Sequence, residues 1–140
     1  MSYDLNLFRK DGSKEPFERE DIEGKLHNSF KYVALHPESG PVLDFEVSRE
    51  NEADSYEFHY HGKENGCYWT YCSYGVDEET FREFKSFVKE VAIALGMRIQ
   101  DVQHGINLIN PEEFITDDVE STVKFRYVKK VMKKVAEHLR

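Results

Sequence analysis

Residues Tyr56 to Tyr74 hold two aromatic runs around Asn65-Gly66. Asn-Gly between alternating apolar residues is the strongest short-range signal of a β-hairpin, because a type I′ turn needs positive φ at both central residues. A two-residue turn there sets Glu64 opposite Cys67, Tyr60 opposite Tyr71 and Gly62 opposite Trp69. Phe58, Tyr60, Trp69 and Tyr71 then share the face expected to turn inward. Glu57, His59, His61, Tyr68, Thr70, Cys72 and Tyr74 take the outer face. A longer loop from Gly62 to Gly66 changes this register, and a slip of one residue moves every side chain of a strand to the opposite face.

The rest of the chain carries further periodic segments. Tyr3 to Arg9 alternates, with Tyr3, Leu5 and Leu7 on one side, which predicts a strand. Ile22, Leu26 and Phe30 lie four apart and predict a short helix within 18–30, weakened by Gly24. His36 to Pro41 reads as a loop, and Val42 to Ser48 as a strand with Leu43, Phe45 and Val47 on one side. Arg49 to Asp54 reads as an exposed polar connection. Asp77 to Leu95 is the clearest helix, with Phe81, Phe84, Val88, Val91 and Leu95 on one stripe, Asp77 as N-cap and Gly96 as C-terminal left-handed residue. Met97 to Gln103 predicts a strand, and 104–116 irregular chain with Ile106 and Leu108 extended. Asp117 to Arg140 predicts a second long helix with Val128, Val131, Val135 and Leu139 as its apolar stripe.

The expected fold is therefore α+β: one domain over 1–140, with a single antiparallel or mixed sheet of four to five strands. Two long helices and one short helix pack mainly on one face, in the order β-α-β-β-β-α-β-α. Ten Phe and eight Tyr supply enough large apolar groups for a core despite 33% charged residues.

The net charge of −8 is unevenly spread. Residues 124–140 hold seven bases and one acid, a net of +6, which leaves −14 on the other 123 residues. An acidic body repels phosphates, which argues against nucleic acid and favours a protein partner with a basic surface. The basic cluster of the last helix reads as a solvated face opposite its apolar stripe. No apolar run approaches the length of a membrane span, and the first residues lack the pattern of a signal peptide. The expectation is a cytoplasmic protein with no membrane contact, whose Cys67 and Cys72 are free thiols.

His59 and His61 point the same way on a strand, and the hairpin register places Cys72 opposite His59. Nitrogen and sulfur ligands suit zinc, but these three fall short of the four that close a structural site. The preferred reading is a polar, solvated sheet face, with no metal and no cofactor. Glu57, His59 and Tyr74 on that face are an acid–base candidate only if a pocket encloses them. Asp101, Gln103 and His104 follow the strand after the first long helix, and are read as ending that strand by bonding the loop backbone. No phosphate loop, nucleophile elbow or metalloprotease motif is present.

The opening Met1-Ser2-Tyr3-Asp4-Leu5-Asn6-Leu7-Phe8 and the segment from Leu95-Gly96 to Asp101-Val102-Gln103 resemble a set of small bacterial proteins. Those begin with Tyr-Asp-Leu on a first strand and have a helix ending in Leu-Gly before a strand ending in Asp-x-Gln. The resemblance spans about the first 105 residues, and some such proteins look like immunity proteins that neutralise a rival cell's toxin. It implies a non-catalytic protein-binding module acting by occlusion, and it brings no catalytic residue with it. His59, His61, Tyr68 and Tyr74 on the outer hairpin face are the expected contacts, facing a basic partner or a second copy of the chain.

Overall fold

A computed structural model describes residues 2–49 and 55–139. Its strands are β1 (Ser2–Arg9), β2 (Tyr32–His36), β3 (Asp44–Ser48), β4 (Tyr56–Tyr60), β5 (Cys67–Ser73), β6 (Met97–Asp101) and β7 (Ile106–Ile109). The helices are α1 (Arg19–Leu26), α2 (Glu78–Leu95) and α3 (Val119–His138), and a 3₁₀ turn spans Pro111–Glu113. All seven strands form one sheet in the order β2-β3-β4-β5-β1-β6-β7, and every recorded pairing is antiparallel.

The expected four to five strands are thus too few, and the order is β-α-β-β-β-β-α-β-β-α. Both added strands, β2 and β7, are the sheet's edges. Each is four or five residues long and partly exposed, so neither shows the alternation that buried strands carry. The expected strand over 42–48 also starts later. Val42 is drawn into an isolated bridge with Phe17 and is fully buried, which turns Leu43 out to solvent. Of the polar connection expected over 49–54, only Arg49 lies in the described residues. It is held by Glu83 and Glu90 on α2, with its guanidinium over the Phe87 ring.

β1 lies inside the sheet, hydrogen-bonded to β5 on one side and β6 on the other. Its alternation buries Tyr3, Leu5 and Leu7 completely against α2, where Tyr3 meets the rings of Phe81 and Phe84 edge-on. α2 follows the expected pattern closely. The Asp77 carboxylate accepts from the Thr80 amide at 2.7 Å, and Gly96 closes the helix at φ +64°. On α3, Ser121, Thr122 and Phe125 are buried, and Phe125 stacks on Phe81 at 4.1 Å. Of the stripe expected to face inward, Val128 packs partly buried against the core, whereas Val131, Val135 and Leu139 are exposed. Contact with the core ends at Met132, so the later part of the stripe faces solvent.

The hairpin register differs from the two-residue turn. His59 pairs with Trp69 and Tyr60 with Tyr68, and the His61 amide closes the ladder on the Cys67 carbonyl at 2.8 Å. The loop runs from Gly62 to Gly66, both with positive φ. This shift is odd in residue number, so β5 turns over relative to β4. Phe58 and Tyr60 remain on the core side, joined by Tyr68, Thr70 and Cys72. Trp69 and Tyr71 move to the outer side with His59 and His61.

Gly66 shows why the loop is built this way. A Cβ there would lie 2.5 Å from Lys14 Cβ and 2.8 Å from Lys14 Cα, backbone of the segment between β1 and α1. At Gly96 nothing lies within 4 Å. Gly96→Ala therefore meets only the left-handed backbone penalty, about 1 kcal/mol. Gly66→Ala meets the same penalty plus a clash and costs more, about 2–4 kcal/mol. Chemical denaturation of the two variants measures both, with Gly66→Ala expected to be the less stable.

Candidate functional site

All three helices cover the face that holds Tyr3, Leu5 and Leu7. The opposite face displays the side chains of alternate residues: Asp4 and Asn6 from β1, Asp44 and Glu46 from β3, Glu57 and His59 from β4, Trp69 and Tyr71 from β5. Cross-strand pairing aligns these into rows. His59 sits between Asp44 and Trp69, and Trp69 in turn lies beside Asn6.

Three rings form a shelf on this face. Trp69 and Tyr71 stack with centroids 5.1 Å apart, and His59 lies 5.2 Å from Trp69 and 6.5 Å from Tyr71. Residues two apart on one strand face the same way, which lets Trp69 and Tyr71 lie against each other. His59 Nδ1 is 3.0 Å from Asp44 Oδ1 and its Nε2 is 3.4 Å from Glu57 Oε2, so a carboxylate reaches each ring nitrogen. His61 is exposed, bonded through Nδ1 to Asn65 at 3.2 Å, with its ring 6.0 Å from that of Trp69. The result is an apolar, π-rich shelf bordered by carboxylates.

The four expected contact residues therefore part company. His59 and His61 stand on the outer face. Tyr68 and Tyr74 are buried on the core side, a direct consequence of the turned-over β5. Tyr68 acts as an internal bolt. Its hydroxyl accepts from the Phe17 amide at 2.9 Å and donates to the Val42 carbonyl at 2.5 Å, and burial pushes the phenol up to about 12. Trp69 and Tyr71 are the outer residues that the hairpin reading turned inward.

The set His59, His61 and Cys72 is not brought together. Cys72 lies on the core side, and burial pushes its thiol up to about 12, which favours an inert packed sulfur over a thiolate ligand. Cys67 is also a buried free thiol. Among the described residues no group of three or more His, Cys, Asp and Glu side chains is placed to hold a metal ion. The acid–base candidate Glu57, His59 and Tyr74 is likewise divided by the sheet.

A second polar cluster lies under the helices. Asp101 Oδ1 accepts from the His104 amide at 3.1 Å, as expected for a carboxylate that ends its strand, and Oδ2 accepts from the Tyr3 hydroxyl. His104 Nε2 is 3.3 Å from the Tyr74 hydroxyl and its Nδ1 is 3.2 Å from Ser121 Oγ. Lys85 Nζ donates to Ser121 Oγ at 2.9 Å, to Asp118 Oδ1 at 3.3 Å and to the Ile115 carbonyl at 3.4 Å. Lys85 and Ser121 were not legible as partners, although Lys85 is the one charge placed among the apolar positions of α2.

A hydroxyl between an amine and an imidazole is the pattern of an activated nucleophile. Here Lys85, His104 and Ser121 are at most 5% exposed and already satisfied by one another, so no substrate reaches them. The cluster works as a clasp that holds α3 and the 101–104 turn to the sheet. Burial pushes the Asp101 carboxyl up, against the opposing pull of Tyr3 and the His104 amide. It pushes His104 down, reinforced by Lys85 and Lys124 and opposed by Asp101. It pushes the Lys85 ammonium down, opposed by Asp118.

Because the native state resists protonating His104, the unfolded chain binds the extra proton first as pH falls. Stability contributed by neutral His104 is present above its ordinary value of 6.5 and is lost as pH falls below it. Thermal unfolding between pH about 7.5 and about 5 should show a falling midpoint, and His104→Gln should flatten that slope. Lys85→Met removes the donor shared by Ser121, Asp118 and Ile115, and should cost about 1–3 kcal/mol in denaturant unfolding. No family model, curated protein or solved structure matches this chain.

Proposed function

We propose that this protein is a non-catalytic protein-binding module that covers a basic surface of its partner, in the manner of an immunity protein. The observation that carries the reading is the stacked shelf of Trp69, Tyr71 and His59 on a sheet face bordered by Asp4, Asp44, Glu46 and Glu57. Aromatic side chains are the usual anchors of protein interfaces, and a carboxylate border accelerates encounter with a cationic patch. Rigid rings on neighbouring strands lose little conformational entropy on contact, which suits tight occlusion. The contact residues of this reading are His59, His61, Trp69 and Tyr71, with Tyr68 and Tyr74 serving the core.

The metal or enzyme alternative built on His59, His61 and Cys72 gains no support, since the sheet separates the thiol from the imidazoles.

The test begins with a partner captured from the native cell, purified and titrated against the protein. Trp69 is the only tryptophan, so its emission reports directly on the shelf. Binding should shift Trp69 emission to shorter wavelength, and Tyr71→Ala should weaken affinity at least about tenfold, or about 1.4 kcal/mol. Association should slow as salt rises. A partner that binds Tyr71→Ala as tightly as the unaltered protein, with Trp69 emission unmoved, would sink the reading.

A further inference from the structure

Beside the Trp69 shelf the outer sheet face dips into a hollow of about 400 Å³, lined by Asp4, Asn6, His61, Trp69, Val102 and Gln103. The fold fixes its polar side chains. Gln103 lies against β1 as a further strand would: its Oε1 accepts from the Asp4 amide at 2.6 Å and its Nε2 donates to the Ser2 carbonyl at 2.8 Å. Asn6 donates through Nδ2 to Gln100 Oε1 at 3.1 Å, and the Ser2 hydroxyl donates to Asp4 Oδ1 at 2.6 Å. Two oxygens are left over. Asp4 Oδ2 and Asn6 Oδ1 receive no hydrogen bond, and Asp4 no ion pair, among the described residues. The register puts both beside the rings, since Asp4 pairs directly with Tyr71 and Asn6 with Trp69. Further along the same face Glu46 stands directly opposite Glu57, a like-charge pairing that costs stability. Glu46 also forms no ion pair among the described residues. The rings thus border on carboxylates that lack a counter-charge.

We propose that this hollow is the seat of an arginine side chain of the partner, with the guanidinium against the Trp69 indole and donating to Asp4 and Asn6. The inference rests on the reading of the shelf as the contact for a basic partner, and names the group that the shelf receives. A guanidinium is planar, always charged, and carries five donors and no acceptor. It therefore suits a flat ring whose border offers oxygens. Tryptophan is the ring that attracts a cation most strongly, and a carboxylate takes the guanidinium fork through two parallel bonds. Lysine fits less well, because its ammonium is strongly hydrated and has no plane to lay on the indole. A sugar also stacks on indole, but its neutral hydroxyls leave Asp4 without a counter-charge. Phosphates of nucleic acid or lipid meet repulsion from Asp4, Asp44, Glu46 and Glu57 on this face.

Nuclear magnetic resonance of the full chain tests the proposal, because Trp69 gives the only indole N–H signal. The probe is acetyl-arginine methylamide. It should move that signal saturably with a Kd of about 1–10 mM, the range open to one side chain. Acetyl-citrulline methylamide, of equal length with a neutral urea head, should bind at least about tenfold more weakly, and acetyl-lysine methylamide about threefold more weakly. Asp4→Asn should weaken the arginine probe at least about fivefold. It should leave the remaining signals in place, since asparagine still accepts from Ser2. An indole signal unmoved by about 50 mM arginine probe overturns the proposal. So does citrulline binding as tightly as arginine, or full affinity in Asp4→Asn. Maltose binding more tightly than the arginine probe assigns the hollow to a saccharide, and likewise overturns it. The wider reading is judged separately. A captured partner weakened by Tyr71→Ala but not by Asp4→Asn keeps the shelf as its contact and removes arginine from it. An arginine probe that binds, with a partner indifferent to Tyr71→Ala, keeps the arginine seat and removes the wider reading.

Discussion

Asp101 is a carboxylate with no exposed surface, and a buried carboxylate is tolerated only when its oxygens are hydrogen-bonded. Much of the architecture serves that requirement. Tyr3 supplies its hydroxyl from the adjacent inner strand, and the chain turns at once after β6 so that the His104 amide reaches back. The turn in turn delivers the His104 ring to Tyr74 and Ser121, and Ser121 meets Lys85. One desolvated group thus links β1, β6, the end of β5, α2 and the start of α3. The links are polar and directional, so they specify one arrangement of helices where apolar contacts alone would tolerate several.

The sheet separates two environments. Below it, stacked rings and the clasp make a dense interior whose phenols and thiols are held protonated by burial. Above it, Trp69, Tyr71 and His59 form a shelf among carboxylates. At the end of the helical layer, α3 continues past the body beyond Met132 and exposes Val135 and Leu139 among its lysines. Both surfaces are of the kind that association covers, and they lie on different sides of the molecule.

What could be read from residues depended on whether local periodicity and tertiary environment agreed. They agreed for α2, where capping residues and a five-residue apolar stripe act together, and for β1, whose alternation is that of a strand with one buried face. They disagreed for β2 and β7, which bond to one neighbour each and so carry weak patterns. They agreed only in part for α3, whose stripe has the period of a buried helix and meets the core at Val128 but runs beyond it at Val135 and Leu139. Half of the candidate site was legible: His59 and His61 face outward as expected. Tyr68 and Tyr74 exchanged roles with Trp69 and Tyr71, because a five-residue loop replaced a two-residue turn and reversed one strand.

The chain by itself determined where helices and inner strands lie, that two aromatic ribbons pair, and that acid and base segregate along its length. These follow from side-chain periodicity, capping chemistry and charge, all of them local properties. Only the tertiary structure decided which rings of the hairpin meet solvent. The side chains of β5 fit either face on composition alone. The choice was made by Gly66 closing against Lys14 and by the Tyr68 hydroxyl lodging between Phe17 and Val42. Those contacts join residues more than twenty positions apart, and alternation along one strand carries no information about them.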